Sequence, residues 1–192
     1  MAPDPGEEEV TSVTLFRLCQ DDWERHRAIR LEALRTAPDM YSTKLEDMVD
    51  QPESFWREIM GKNRYFYVRT GSDVVGLAGL ATPTGHAAAS ADKGTALTEQ
   101  LPASTGMLIS VFVAARARGR RLGALLSQAV IGQARAEGLR AVFLEVAEHN
   151  DVARRVYEEL GFSYTRRARP TFAPGLSHQE LEMRLDLLAA PR

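Results

Sequence analysis

Residues 111–126 read Val-Phe-Val-Ala-Ala-Arg-Ala-Arg-Gly-Arg-Arg-Leu-Gly-Ala-Leu-Leu, and this stretch decides the fold. Its first residues close the run Met107-Leu-Ile-Ser-Val-Phe-Val113, the most apolar strand candidate in the chain and therefore the most central. Four cationic side chains follow, Arg116, Arg118, Arg120 and Arg121, with Gly119 and Gly123 flanking the start of a helix. That helix is marked by Leu122, Leu125, Leu126, Ala129, Val130 and Gln133, which step by three and four until Gly138. Free backbone N–H groups at a helix start form an anion site, and small residues let a diphosphate approach the main chain. Taken alone, the arginines fit a solvated helix start better than a binding loop. A nucleic-acid patch fits less well, because the cluster is short and lacks interleaved aromatics.

Working outward, Ala141–Val146 reads as the next strand, and Asn150 or Asp151 caps a helix that carries Val152, Val156 and Leu160 and closes at Gly161. Asn150, Ala153 and Tyr157 fall on successive turns, so an amide at a strand end and a phenol can reach one spot. A lone tyrosine on such a helix is more often core. Upstream, Val13–Leu18 alternates as a first strand, and Asp21 or Asp22 caps a helix running to about Arg35. A shorter helix begins near Pro52 or Glu53, with Gly61 as its C-cap. Tyr65–Val68 and Val74–Leu80 form a hairpin across Gly71-Ser-Asp73. Two strands near 162–167 and 180–187 complete the chain. Strands that pair first as hairpins and then cross over through helices imply an α/β (mixed α+β) fold, with about seven strands and about four helices.

Composition sets the outer limits. The 192 residues, 44% hydrophobic and 26% charged, fit one soluble domain spanning 13–188, after an acidic, Pro-containing tail at 1–12. The Ala/Gly/Thr/Ser/Pro stretch at 82–105 is expected to be a long mobile loop. A net charge of −2, no apolar run of membrane length and no secretory pattern point to a cytoplasmic protein without nucleic-acid or membrane partners. The single cysteine, Cys19, excludes an internal disulfide and reads as a small buried hydrophobe. Monomer and homodimer both remain open.

The two segments together, Arg118-Gly-Arg-Arg-Leu-Gly123 and Asn150 through Phe162, resemble the two motifs of the GNAT superfamily of N-acetyltransferases. The similarity in element order covers the chain from Val13 to about Leu187. The resemblance implies acetyl-CoA as co-substrate and no metal. It also implies that Val111, Phe112 and Val113 offer backbone groups to the pantetheine arm, and that Arg118, Gly119, Arg120, Arg121, Leu122, Gly123 and Ala124 cradle the pyrophosphate. Asn150 would bond the pantetheine arm, and Tyr157 would lie near the sulfur as proton donor. Arg121 departs from the family's usual Gly, so its side chain must point away from the phosphates or over them. Ala115 departs from a frequent Pro.

Acetyl transfer to an amine also needs a proton acceptor. The central-strand positions where relatives carry an acid or histidine are Met107 and Ile109 here, and Ser110 is too weak a base. Glu145 and His149 are the substitutes, beside a water relay that needs no residue. For Glu145 a sheet-face ion pair is an equal alternative. The acceptor pocket is expected from 40–66 and 169–178, lined by Tyr41 and Trp56 with Phe55 and Phe172, and with Asp47, Asp50 and Glu53 drawing a cation. Direct attack by a small-molecule primary amine in a ternary complex is the leading reading. Acetylation of protein N-termini or lysines is its alternative, and a CoA-binding module without catalysis a third.

Overall fold

A computed structural model describes residues 12–41, 43–83, 101–171 and 177–187. The tail expectation for residues 1–11, most of the long-loop expectation (84–100) and Phe172 lie outside the described residues. Seven strands form one sheet in the order β1-β2-β3-β4-β5-β7-β6. The strands are β1 (Val13–Phe16), β2 (Arg64–Thr70), β3 (Asp73–Ala81), β4 (Thr105–Val113), β5 (Ala141–Ala147), β6 (Ser163–Pro170) and β7 (Gln179–Asp186). Among the described residues five helices accompany them: α1 (Trp23–Thr36), α2 (Leu45–Met48), α3 (Glu53–Lys62), α4 (Leu122–Ala136) and α5 (Asp151–Glu159). The one beyond expectation is α2, a four-residue turn of helix too short to leave a periodic signature. Among the described residues no helix is long and apolar enough to cross a membrane.

All neighbouring strands are antiparallel except β4 and β5, whose parallel pairing requires the crossover that α4 supplies. On β2, Tyr65 and Tyr67 face α1, where both rings meet His26. The alternate residue Val68 faces α4 and approaches Leu126 beside Gly76. A Cβ at Gly76 would lie 2.7 Å from the Phe112 carbonyl oxygen, so only glycine lets β3 and β4 approach this closely. The core between these layers includes Leu77, Leu80, Leu126, Leu144 and Met183, all essentially inaccessible to solvent.

Several local expectations give way. Helix α3 runs through Gly61 to Lys62 and is capped at Asn63, whose backbone N–H donates to the Ile59 carbonyl. Cys19 is exposed, not buried, because it starts a one-turn 3-10 helix at Gln20–Asp22 and its thiol donates to the Asp22 carboxylate. Gly138 and Gly161 do adopt positive φ after α4 and α5, as helix-ending glycines should.

Candidate active site

Two strands that begin as neighbours and then separate build the site. β4 and β5 pair only at Thr105–Ala141, Gly106–Val142 and Met107–Phe143. Beyond this, β5 continues against β7 to Ala147, and β4 continues against β3 to Val113. A bulge marks the parting: Ile109 pairs with Gly79 and Phe112 with Leu77, so Ser110 and Val111 stand opposite the single Ala78. Ser110 takes a φ of 56°, the left-handed region that side chains rarely adopt, and the strand bends there. The wedge between the strands holds a cavity of about 210 Å³, lined by Met107–Val111, Glu145–Ala147, Asn150, Ala153 and Tyr157. Arg30, Met40, Tyr41, Phe55, Ile59 and Tyr65 close it from the side of α1 and α3, and Arg169 and Glu180 from β6 and β7.

Tyr157 is buried on α5, its ring against Phe162 at 5.9 Å, and among the described residues its hydroxyl makes no hydrogen bond. Burial, with the neighbouring Tyr41 adding to it, pushes its pKa well above the usual phenol range, so the proton stays on Oη. Tyr41 donates its hydroxyl to the Val111 carbonyl at 3.0 Å, and burial raises its pKa to about 12. Asn150 caps α5: its Oδ1 accepts from Ala153 N at 3.2 Å, and its Nδ2 faces the Met40 sulfur at 3.2 Å. Glu145 holds Arg169 through a two-pronged ion pair, with Nε at 2.6 Å from Oε1. Burial raises the Glu145 pKa, and Arg169 partly offsets the rise. The ion-pair alternative for Glu145 is thus realised, in a carboxylate that also lines the cavity.

The glycine-bearing loop sits at the outer end of the same wedge. Arg118 Nε donates to the Val113 carbonyl at 3.1 Å. Arg121 occupies the left-handed region at the N-cap of α4, and its guanidinium turns away to Glu159 at 2.8 Å. The N-cap Arg121 makes no side-chain capping bond, so among the described residues the first N–H groups of α4 have no N-cap side chain as acceptor. A Cβ at either Gly119 or Gly123 would meet nothing within 4 Å, so the loop faces open space. Phe112 and Leu122 point into the core, leaving only their backbone for a ligand. An unpaired strand edge beside an uncapped, Arg-flanked helix start suits a ligand with an extended amide arm and a diphosphate, as acetyl-CoA has.

Two expected residues fall elsewhere. Trp56 is fully buried against Leu31, Leu34 and Met48, its indole N–H donating to the Gln51 carbonyl, so it does not line the cavity. One position of helical rotation puts its neighbour Phe55 there instead. His149 lies off the cavity, its ring edge-on to His178 at 4.7 Å. Glu53 is held by Arg57. Sequence reasoning missed Arg30 and Glu180, weighed Ser110 only as a base, and reached Arg169 only as the edge of an expected pocket segment. The only trace was the Arg30-Leu31 step on an amphipathic helix, where an arginine reads as solvated.

Comparison with known proteins identifies the family and supports the fold. The chain matches the acetyltransferase (GNAT) family over residues 19–162, and it belongs to that family. A probable N-acetyltransferase, camello, from Xenopus laevis is 42% identical over 65 residues, which span 34% of this chain and 30% of that protein's length. An acetyltransferase of the GNAT family from Streptococcus pneumoniae superposes with a TM-score of 0.71 at 17% identity, over 91% of this chain and 99% of that one. A putative acetyltransferase from Salmonella typhimurium, solved with its cofactor acetyl-CoA, gives a TM-score of 0.65 at 21% identity, over 94% and 98% of the two chains. The expected mixed α/β fold and the family stand.

Proposed function

We propose that this protein transfers an acetyl group from acetyl-CoA to a primary amine of a small molecule, by direct attack with both substrates bound. The observation that carries this is the wedge itself: a buried phenol and a bulged strand edge line one cavity, and the same strand leads on to the glycine-bearing start of α4. When bound, acetyl-CoA supplies the acetyl group as an activated thioester. The N–H groups of Gly119–Ala124 donate to the pyrophosphate, with Arg118 and Arg120 adding charge, while Arg121 stays on Glu159. Backbone groups of Val111–Val113, with Asn150, align the pantetheine arm. A backbone N–H at the Ser110–Val111 bulge polarises the acyl carbonyl. Tyr157 Oη holds a proton for the leaving group; the burial that keeps it there raises the proton affinity of any anion developing beside it equally.

Glu145, which with Glu180 is one of two carboxylates lining the cavity, is assigned as the proton acceptor. Its partnership with Arg169 makes it a modest proton acceptor. This favours an amine that is easily freed of its proton. At pH 7, deprotonating a lysine-like amine of pKa about 10.4 costs roughly 4.6 kcal/mol, against about 1 for an α-amine near 7.8. A cavity of about 210 Å³ with Tyr41 and Phe55 in its walls supports a small acceptor over a peptide. The test is CoA release from acetyl-CoA over a panel of small amines, N-terminal peptides and lysine peptides. Turnover with small α-amines supports the reading. Turnover confined to peptides moves the acceptor to proteins, and acetyl-CoA binding without turnover leaves a binding module.

A further inference from the structure

We propose that Arg30 is the anchor for a carboxylate on the acceptor, which makes the acceptor a small amino acid rather than a simple amine. This rests on the acetyl-transfer reading above and narrows its substrate class.

Arg30 stands on α1 and is 5% exposed, yet it lines the cavity. Its guanidinium lies over the ring of Tyr41 at 4.9 Å, and its Nη1 is buried without a hydrogen-bond partner. Among the described residues no carboxylate pairs with it. A guanidinium carries five donors and cannot lose its charge in a protein, so one π face satisfies it only in part. Leaving a buried charge unpaired is costly, and a fold tolerates it where a ligand completes the pair.

The other charged groups of the cavity already have partners. Glu145 holds Arg169, and Glu180 accepts from the His178 ring at 3.0 Å. Both pairs come from β5, β6 and β7, whereas Arg30 comes from α1 across the wedge. The cavity is therefore polarised, with an unmet cation on one wall and carboxylates on the other. A molecule with a carboxylate and an amine a few bonds apart meets both walls, and the carboxylate seats bidentately on the guanidinium. Met40, Met48, Phe55 and Ile59 leave an apolar recess for the remainder of that molecule.

The experiment uses the full chain and pairs each of the twenty L-amino acids, β-alanine and γ-aminobutyrate with its carboxamide. CoA release is measured with acetyl-CoA, and binding by calorimetry in the presence of CoA. The acid form of at least one pair should exceed its amide by about tenfold to hundredfold in kcat/KM, the size of a charge-assisted hydrogen bond. Arg30→Met should bring that ratio to about one, while Arg30→Lys keeps part of it. Because Arg30→Met removes an unpaired buried charge, its melting temperature in the ligand-free state should equal or exceed that of the parent. Amides used as well as acids would overturn the proposal, as would a panel in which no acid binds. Arg30→Met weakening acetyl-CoA as strongly as the acceptor would also overturn it, because the guanidinium would then serve the cofactor's phosphates. If no amine releases CoA but an acid binds and Arg30→Met abolishes that binding, the anion site stands and acetyl transfer falls.

Discussion

The two halves of β4 belong to one strand and have opposite fates. Thr105–Met107 pair with β5, and Met107 with β3 as well, while from Ile109 onward the strand keeps only β3. In the first half the edge toward β5 is paired, and the residues are structural. In the second half a bulge at Ser110 turns the strand away, and its free edge becomes a place for a ligand. A ligand site can thus be made from a sheet by withholding a neighbour, with little demand on side-chain chemistry. The same contrast recurs on α1. His26 and Arg30 lie one turn apart and are both buried, but His26 bonds Tyr67 at 2.8 Å, whereas Arg30 faces the cavity.

The contrast can be broken most sharply at the open end. Gly123→Glu sets a carboxylate at the uncapped start of α4, where a Cβ meets no atom within 4 Å, so the fold should survive. Unit charges 4 Å apart near a surface repel by roughly 4 kcal/mol, so acetyl-CoA affinity should fall roughly a thousandfold by calorimetry. Unchanged affinity would move the phosphates elsewhere. The paired end should respond in the opposite sense. Leu80 pairs with Leu108, lies against Gly106 and is 1% exposed, so Leu80→Ala should cost about 2–5 kcal/mol in urea unfolding. Acetyl-CoA affinity of the folded fraction should stay within a few-fold. A variant that lost affinity but not stability would erase the distinction between the two ends.

A smaller effect concerns Glu145. Burial raises its pKa, so as pH falls through that raised value the carboxylate takes a proton and releases Arg169. The acid limb of kcat/KM should therefore lie above the ordinary carboxylate range, and Glu145→Gln should remove the limb and lower kcat/KM about tenfold. An acid limb that persists in the variant assigns it to another group. The smallest effect tests His26. Burial, and the charge of Arg30 beside it, lower its pKa from 6.5 to about 3. The folded state keeps it neutral while the unfolded chain takes a proton below 6.5. Stability is then fully present above pH 6.5 and is lost as pH falls toward 3, by up to about 1.4 kcal/mol per pH unit. Urea titrations at pH 7 and 5 measure the slope, and replacing His26 with Gln should flatten it.

Much of this architecture was legible in the sequence because it rests on local signals. The apolar run at Met107–Val113, the spacing after Leu122 and the glycines at 138 and 161 each report a strand, a helix or a helix end on their own. The start of α4 was legible because Gly119 and Gly123 flank it, and Gly119 takes the positive φ that glycine allows. The acceptor side was less so. Trp56 and Phe55 are adjacent, and which of them faces a cavity depends on how α3 is rotated against α1, a property of packing between elements. Glu145 and Arg169 meet only because β7 lies between β5 and β6, and no local pattern encodes that strand order. Arg30 was invisible because an arginine on an amphipathic helix belongs to solvent until the tertiary structure buries it.

The central claim is that Tyr157 acts in turnover and not in holding the cofactor. Tyr157→Phe keeps the ring and its contact with Phe162, and removes only a hydroxyl with no partner among the described residues, so the fold should persist. The decisive measurement is kcat with the acceptor returned by the amine panel, beside calorimetric affinity for acetyl-CoA. General acid catalysis is worth about 10²–10⁴-fold, so kcat should drop within that range. Acetyl-CoA affinity should change by less than about tenfold, the most that one hydrogen bond supplies. Near-normal kcat, or lost affinity with unchanged turnover at saturation, would contradict the account.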